Sequence, residues 1–245
     1  MTRRLVAWFS AGAPSAVCAK LALKRYDNVS IVRTVIDSEH EDNARFAADC
    51  AIWFGQPVIE IRSEKYATHW DVIEKRRYIS GHDGALCTVE LKKIPRYEFQ
   101  RPDDLHIFGY SIEEEHRIAR LKEQNPELDL AFPLIEAGLS KADCLAMVDR
   151  AGIVLPAMYR LGYRNNNCIG CSKATGPGYW NRIRVTHPDA FDRMAKAQRM
   201  LDYTQVKLGG VPVFLDELPP DAGSHVEPDI ECSLLCAIAE QEIAE

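Results

Sequence analysis

The chain has 245 residues and a formal net charge of −6, with 47% hydrophobic and 27% charged residues. These values exclude a disordered chain, and the lack of any apolar run of about 18 residues excludes a helical membrane span. Met1-Thr2-Arg3-Arg4-Leu5 enters a strand-like segment without a signal peptide's apolar stretch, which predicts a cytoplasmic protein with no membrane partner; the composition leaves the oligomeric state open.

In chain order, Arg4–Phe9 is a short apolar run that ends at Ser10-Ala11-Gly12-Ala13-Pro14-Ser15. A helix follows, with Val17, Cys18, Leu21 and Ala22 on one face. Asn28–Asp37 is β-branched and predicts a buried strand, and Asp42–Phe54 predicts a helix carrying Phe46, Cys50 and Trp53 on one side. Pro57–Ile61, Leu105–Gly109 and Asp129–Phe132 read as further strands, with a charged helix over Ile112–Gln124. Strand alternating with helix predicts an α/β fold, a parallel sheet with helices on both faces. Such sheets bind ligands at the carboxyl ends of their strands, here the loops Ser10–Ser15, Ile36–Glu41 and Gly109–Glu113.

From Pro133 the pattern becomes helical. Ser140–Ala151 predicts a helix with Ser140 as N-cap and Asp143 at N3, and Pro188–Asp202 one with proline at its first position. Gly162–Asn181 between them reads as irregular. The expected organisation is an α/β domain over 1–135 and a helical, cysteine-bearing extension with an acidic tail over 136–245. Between Pro156 and Met200 eight basic residues stand against Asp189 and Asp192, whereas no Lys or Arg follows Lys207. A basic segment in an acidic protein points to a local anionic ligand, or to a solvated helix face.

Small residues at Ser10–Ser15, where a strand turns into a helix, let backbone N–H groups approach an oxyanion. The eight cysteines are many for a reducing compartment and read as metal-binding or redox groups. Cys168-Ile169-Gly170-Cys171 is a pair fit to grip one centre, Glu231-Cys232-Ser233-Leu234-Leu235-Cys236 holds a second pair, and Cys87 stands apart. Four sulfurs without a ligand-spaced histidine suit a 4Fe–4S cluster or zinc. One set is Cys168, Cys171, Cys232 and Cys236; the other joins Cys87, Cys168 and Cys171 to one tail cysteine. Cys18, Cys50 and Cys144 fall on apolar helix faces and read as core thiols. Tyr179 and Trp180 either cover the centre or stack on a base.

Taken together, the motifs resemble the phosphoadenosine phosphosulfate (PAPS) reductase family, within the adenine-nucleotide hydrolase (PP-loop) superfamily, and are closest to members found in phage and prophage genomes. Ser10, Gly12, Ser15 and Val17 match the family's Ser-Gly-Gly-x-Asp-Ser-x-Val loop, with Ala11 for glycine and Pro14 for aspartate. Ile36-Asp37, Cys87-Thr88-x-x-Leu91-Lys92-x-x-Pro95, Gly109-Tyr110-Ser111-x-x-Glu114-Glu115-x-Arg117 and Cys168-x-x-Cys171 follow in the family's order. The resemblance implies a Rossmann-like (HUP-type) sheet. It implies that Ser10, Gly12 and Ser15 cradle a phosphate or sulfate, that Thr34, Val35 and Ile36 hold adenine, and that Asp37 lies near the ribose. Gly109 would border the nucleotide, and Lys92, Arg117 and Arg120 would clamp its anionic groups. For Arg117 and Arg120 the competing reading is ion pairing with Glu113–Glu115 on an exposed helix.

By the same resemblance the centre is iron–sulfur, and Glu231-Cys232-Ser233 is similar to the Glu-Cys-Gly nucleophile of sulfonucleotide reductases. The tail is then expected to dock on the basic Arg160–Arg199 segment. The implied function is PAPS or adenylyl-sulfate (APS) reduction with a thiol or protein reductant. The alternatives are an ATP-dependent sulfur-transfer enzyme acting on tRNA or DNA, in which Pro14 bears on whether ATP is hydrolysed, and a non-catalytic nucleotide- or metal-binding protein.

Overall fold

The computed structural model describes residues 3–82, 84–224 and 228–244. Five strands, β1 (Leu5–Trp8), β2 (Val29–Thr34), β3 (Ile59–Ile61), β4 (Leu105–Phe108) and β5 (Asp129–Ala131), form one sheet in the order β3-β2-β1-β4-β5. Every neighbouring pair is parallel, and Leu5 stands opposite Val29 on one side and Leu105 on the other. The expected Rossmann-like α/β fold is the observed one. Strand order reverses at β1 and β4, so the crevice that such sheets offer to ligands opens beyond Trp8 and Phe108.

Helix α1 (Ala13–Arg25) starts directly after the β1 loop with a proline in its first turn, where the missing N–H costs nothing. Its alanines and Val17, Cys18 and Leu21 are buried, so small side chains let it lie close to β1 and β4 while α5 (Lys141–Arg150) packs on it from outside. Helix α2 (Asp42–Phe54) has the expected bounds and ends on Gly55 at φ 74°, the left-handed C-cap that glycine adopts without strain. Helix α3 (His69–Arg76) carries a Thr68–Asp71 capping box that the sequence reading missed. The charged stretch from Ile112 divides into a short 3₁₀ turn and α4 (His116–Gln124).

Beyond the sheet, α5 has the expected Ser140–Asp143 capping box. Helix α6 (Pro177–Thr186) corrects the expectation of an irregular segment to Asn181: Pro177 pre-sets the first turn, and Trp180 and Ile183 are buried. Helix α7 (Pro188–Leu201) follows, then a hairpin of β6 (Val206–Leu208) and β7 (Val211–Val213) turning at Gly209 and Gly210, both at positive φ. Helix α8 (Leu234–Ala244) lies against α1 and α5. One large apolar cluster joins the sheet, α1, α2 and α5; a second gathers Trp180, Tyr163, Phe191 and Met194 with Trp70 and Ile73 of α3. Cys18, Cys50 and Cys144 are buried, as core thiols should be. Among the described residues no helix is long and apolar enough to cross a membrane.

Candidate functional site

The loop after β1 is held by its own serines. The Ser15 hydroxyl donates to the Gly12 carbonyl at 2.8 Å and accepts the Ser10 N–H at 3.0 Å. With that proton committed, the 3.1 Å contact between the two hydroxyls has Ser10 as donor. Ala11, fully buried, sits in the left-handed region at φ 56°, where the family loop it resembles has glycine. Gly109 closes the crevice from β4: a Cβ there would stand 2.8 Å from Ser15 Cα and 3.0 Å from the Pro14 carbonyl oxygen. Tyr159 closes it from the other side, its hydroxyl 3.2 Å from where a Cβ on Gly12 would lie.

Past β2, Val35 continues the ladder by donating to the Ile61 carbonyl at 2.9 Å, and the Asp37 N–H donates to Ala67 at 3.0 Å. These two donors are therefore committed to the backbone. Thr34 ends β2, and Ile36 is buried against Tyr66, Val72 and Leu91. Asp37 pairs with Arg62 at 2.5 Å. A cavity of about 390 Å³ opens here, lined by Val35, Asp37, Arg62 and Tyr66 among others.

Cys87 and Lys92 lie on one helical run, Leu86–Thr88, a π-helical turn Val89–Lys93 and Ile94–Phe99. In a π-turn the Ile94 N–H bonds back to Val89, five residues away, so residues five apart come onto nearly one side. That spacing separates Cys87 from Lys92. The loop bearing Cys168 and Cys171 docks onto this side through the residues after β2. The Ile169 N–H donates to the Ser38 carbonyl at 2.9 Å, and His69 bridges Ser38 Oγ (2.7 Å) and the Gly170 carbonyl (3.1 Å). A carbonyl only accepts, so Nε2 of His69 carries the proton and Nδ1 accepts from Ser38. Burial lowers the His69 pKa to about 4 and keeps the ring neutral. Gly170, at φ 69°, lies flat against Trp70. Tyr179 accepts the Cys171 N–H at 3.0 Å and Trp180 is fully buried, so these aromatics cover the cysteine loop.

Cys87, Cys168 and Cys171 thus gather around Lys92. Cys87 Sγ lies 3.1 Å from Ser172 Oγ. Burial pushes the Cys168 thiol up to about 12 against the pull of Lys92, and raises Cys171 as well. The Lys92 side chain is 44% exposed; partial desolvation acts downward on it, but Glu39 and the three sulfurs outweigh this and raise the pKa. Glu39, its side chain buried, stands 3.7 Å from Lys92 and 3.6 Å from the buried Arg33. It also accepts from Asn43 Nδ2 at 3.2 Å. Asn43 in turn accepts from Asn166 Nδ2 at 2.8 Å, and the same Asn166 amide donates to the Ala11 carbonyl at 2.7 Å. Glu39, Asn43, Asn166, Ser38 and His69 escaped the sequence reading; an Asn triplet before Cys168 was their one local sign.

The structure does not bring the tail pair to this place. Cys232 and Cys236 are joined as a disulfide, and the Arg150 guanidinium donates to both sulfurs and, at 2.9 Å, to Glu240. Ser233 N–H donates to Asp143 at 2.7 Å, and Glu242 forks onto Arg25 at 2.6 and 2.9 Å. The expected four-sulfur set of Cys168, Cys171, Cys232 and Cys236 is therefore not assembled. The tail docks on α1 and α5 rather than on the Arg160–Arg199 segment, because its partners Arg25, Asp143 and Arg150 lie there. Among the described residues, Asp216 and Glu217 upstream of it pair with Arg199 of that segment. Among the described residues, Cys232, Cys236 and Glu240 are the potential ligands gathered within 4.8 Å of one another. Their sulfurs are bonded to each other and face a guanidinium, an arrangement unsuited to a cation. Arg117 pairs with Glu114 three residues earlier and lies 4.8 Å over the Tyr110 ring; Arg120 is exposed on α4.

No family model matches the sequence, and no curated protein matches it. The fold is similar to that in the crystal structure of phosphoadenylyl-sulfate (PAPS) reductase from Candida auris in a phosphate complex. The TM-score is 0.50 and the identity 10%, covering 69% of this chain and 82% of that chain. The chain has a PAPS reductase-like fold. At this identity the likeness reaches the architecture and stops short of the activity.

Proposed function

We propose that the chain is a PAPS reductase-like enzyme that binds an adenylylated oxyanion at the carboxyl edge of the sheet and performs sulfur chemistry beside it. The observation that carries this reading is Lys92, a cation set among Glu39 and the three sulfurs of Cys87, Cys168 and Cys171 and tied through Glu39 toward the Ser10–Ser15 loop. In this reading Ser10, Gly12 and Ser15 with the α1 N-terminus receive the phosphate or sulfate. The cavity at Val35 and Asp37 takes the adenosine, and Gly109 borders the serine loop from β4. Lys92 offsets the negative charge of substrate and thiolates together. The similar fold crystallised with phosphate supports an oxyanion as the ligand.

The donor set fits a sulfur-ligated group held by Cys87, Cys168 and Cys171, with the remaining position left to a ligand from outside these three. A zinc ion, at about 2.3 Å from each thiolate, needs its sulfurs about 3.8 Å apart. The iron–sulfur assignment follows the resemblance of the cysteine motifs, and zinc is the alternative that iron and sulfide content decides. When bound, a cluster supplies electron or sulfur handling. This chain's own residues shield it with Tyr179 and Trp180 and balance it with Lys92. The Cys168 and Cys171 thiols, raised by burial, would release protons as such a group loads.

One observation favours a second reading, an adenylating sulfur-transfer enzyme acting on tRNA or DNA. Cys232, the nucleophile a plain reductase needs at its substrate, is bonded to Cys236 and held against Arg150 of α5. Pro14 in the loop argues the other way. Anaerobic purification with visible absorbance, iron and sulfide analysis tests the centre. Cys87→Ser, Cys168→Ser and Cys171→Ser are expected to lose iron, and Cys232→Ser and Cys236→Ser to retain it; iron retained by the first three sinks the assignment. Sulfite release from PAPS or APS with a dithiol reductant supports the reductase reading. Pyrophosphate release from ATP stimulated by tRNA or DNA replaces it with the second, and neither activity in cluster-replete protein points to a binding protein.

A further inference from the structure

The three buried side chains between Lys92 and the β1 loop form a hydrogen-bond chain with a fixed direction. An ionised carboxylate only accepts, so Glu39 obliges Asn43 to turn its Nδ2 toward it, at 3.2 Å. The Asn43 Oδ1 then faces Asn166, whose Nδ2 must point back at it (2.8 Å) and reaches the Ala11 carbonyl at 2.7 Å. Reversing either amide would set acceptor against acceptor in a place where Asn43 is 1% and Asn166 9% exposed, and water is excluded from relieving the clash. The Ala11 peptide is trans and planar, so its carbonyl and the Gly12 N–H point in opposite directions. Holding the carbonyl on Asn166 therefore turns the Gly12 N–H away from Asn166. Ala11 holds its left-handed φ of 56° without glycine's freedom, which requires an outside group to fix it.

We propose that Asn166 is a positioning residue for a tetrahedral oxyanion, phosphate or sulfate, orienting the Ala11–Gly12 peptide, and that Glu39 sets its orientation through Asn43. This rests on the reading that the Ser10–Ser15 loop receives such an anion. None of the three side chains need touch the ligand; their effect passes through one backbone N–H.

Calorimetric titration with inorganic phosphate tests it on the full-length protein, with Asn43→Ala, Asn166→Ala, the double variant and Glu39→Gln. Each single alanine variant is expected to weaken phosphate binding about tenfold, the scale of one hydrogen bond to a charged group. The double variant should be no weaker than either single, because both break one chain. Glu39→Gln, equal in shape, frees Asn43 to reverse and should weaken binding by a similar factor. It carries the test if the alanine variants do not fold. Variants that bind phosphate like the wild type, or losses that multiply in the double variant as separate structural damage would, overturn the inference. A wild-type protein that binds no phosphate overturns the loop reading itself, and the inference with it.

Discussion

Gly109 leaves room for one hydrogen between β4 and the serine loop. The backbone at Ser15 and Pro14 lies 2.8 and 3.0 Å from where a methyl would be, and Cys18 Cβ 3.1 Å. Backbone cannot yield as a flexible side chain does, so Gly109→Ala is expected to cost about 1–3 kcal/mol in urea unfolding and to abolish phosphate binding by shifting the loop. A variant with wild-type stability and affinity would show the loop to be more pliant than its packing implies. Gly109 was legible as part of a motif, but its reason was not, since Ser15 is its neighbour only after β1 and β4 pair. The same holds more strongly for Glu39, Asn43 and Asn166, whose partnership no spacing announces.

At the scale of elements, α5 shows what local sequence can and cannot tell. Ser140-x-x-Asp143 reads directly as a capping box, and both of its hydrogen bonds are present. Ser140→Ala should cost about 1 kcal/mol. Asp143 has a second task invisible in the motif: its other oxygen holds the Ser233 N–H at the start of the tail. Asp143→Ala is therefore expected to destabilise more than Ser140→Ala and to speed hydrogen exchange across Leu234–Ala244; unchanged exchange there would show that the tail is held without it. Proline at Pro177 and the Gly209-Gly210 pair are ordinary start and turn signals. They went unread because the surrounding cysteines, asparagines and glycines suggested loop throughout.

For the whole molecule, His69 at the start of α3 clasps the segment after β2, through Ser38, to the cysteine loop, through Gly170. Burial lowers its pKa from 6.5 to about 4. The unfolded chain takes up a proton below pH 6.5 and the folded one only near 4, so between these values the unfolded state binds more protons and stability drops as the pH is lowered. About 2 kcal/mol should be lost between about pH 7 and about pH 5 through this one residue. Unfolding of the wild type against His69→Gln at both values measures it; equal pH dependence in the two would remove His69 as the cause. The parallel sheet and its crevice were legible because alternation and buried strands encode them. The tail's resting place was not, because Arg25, Asp143 and Arg150 become a single surface only when α1 and α5 pack.

The wide turn at Val89–Lys93 carries one residue more than an ordinary helical turn would. Winding the same residues as regular helix, with the extra one no longer absorbed in the turn, would swing everything before it by about 100° relative to everything after it. Cys87 would then face away from the lysine ammonium, with Cys168 and Cys171 left where they are. The width of one turn in a stretch without any sulfur thus governs whether three thiols share a neighbour.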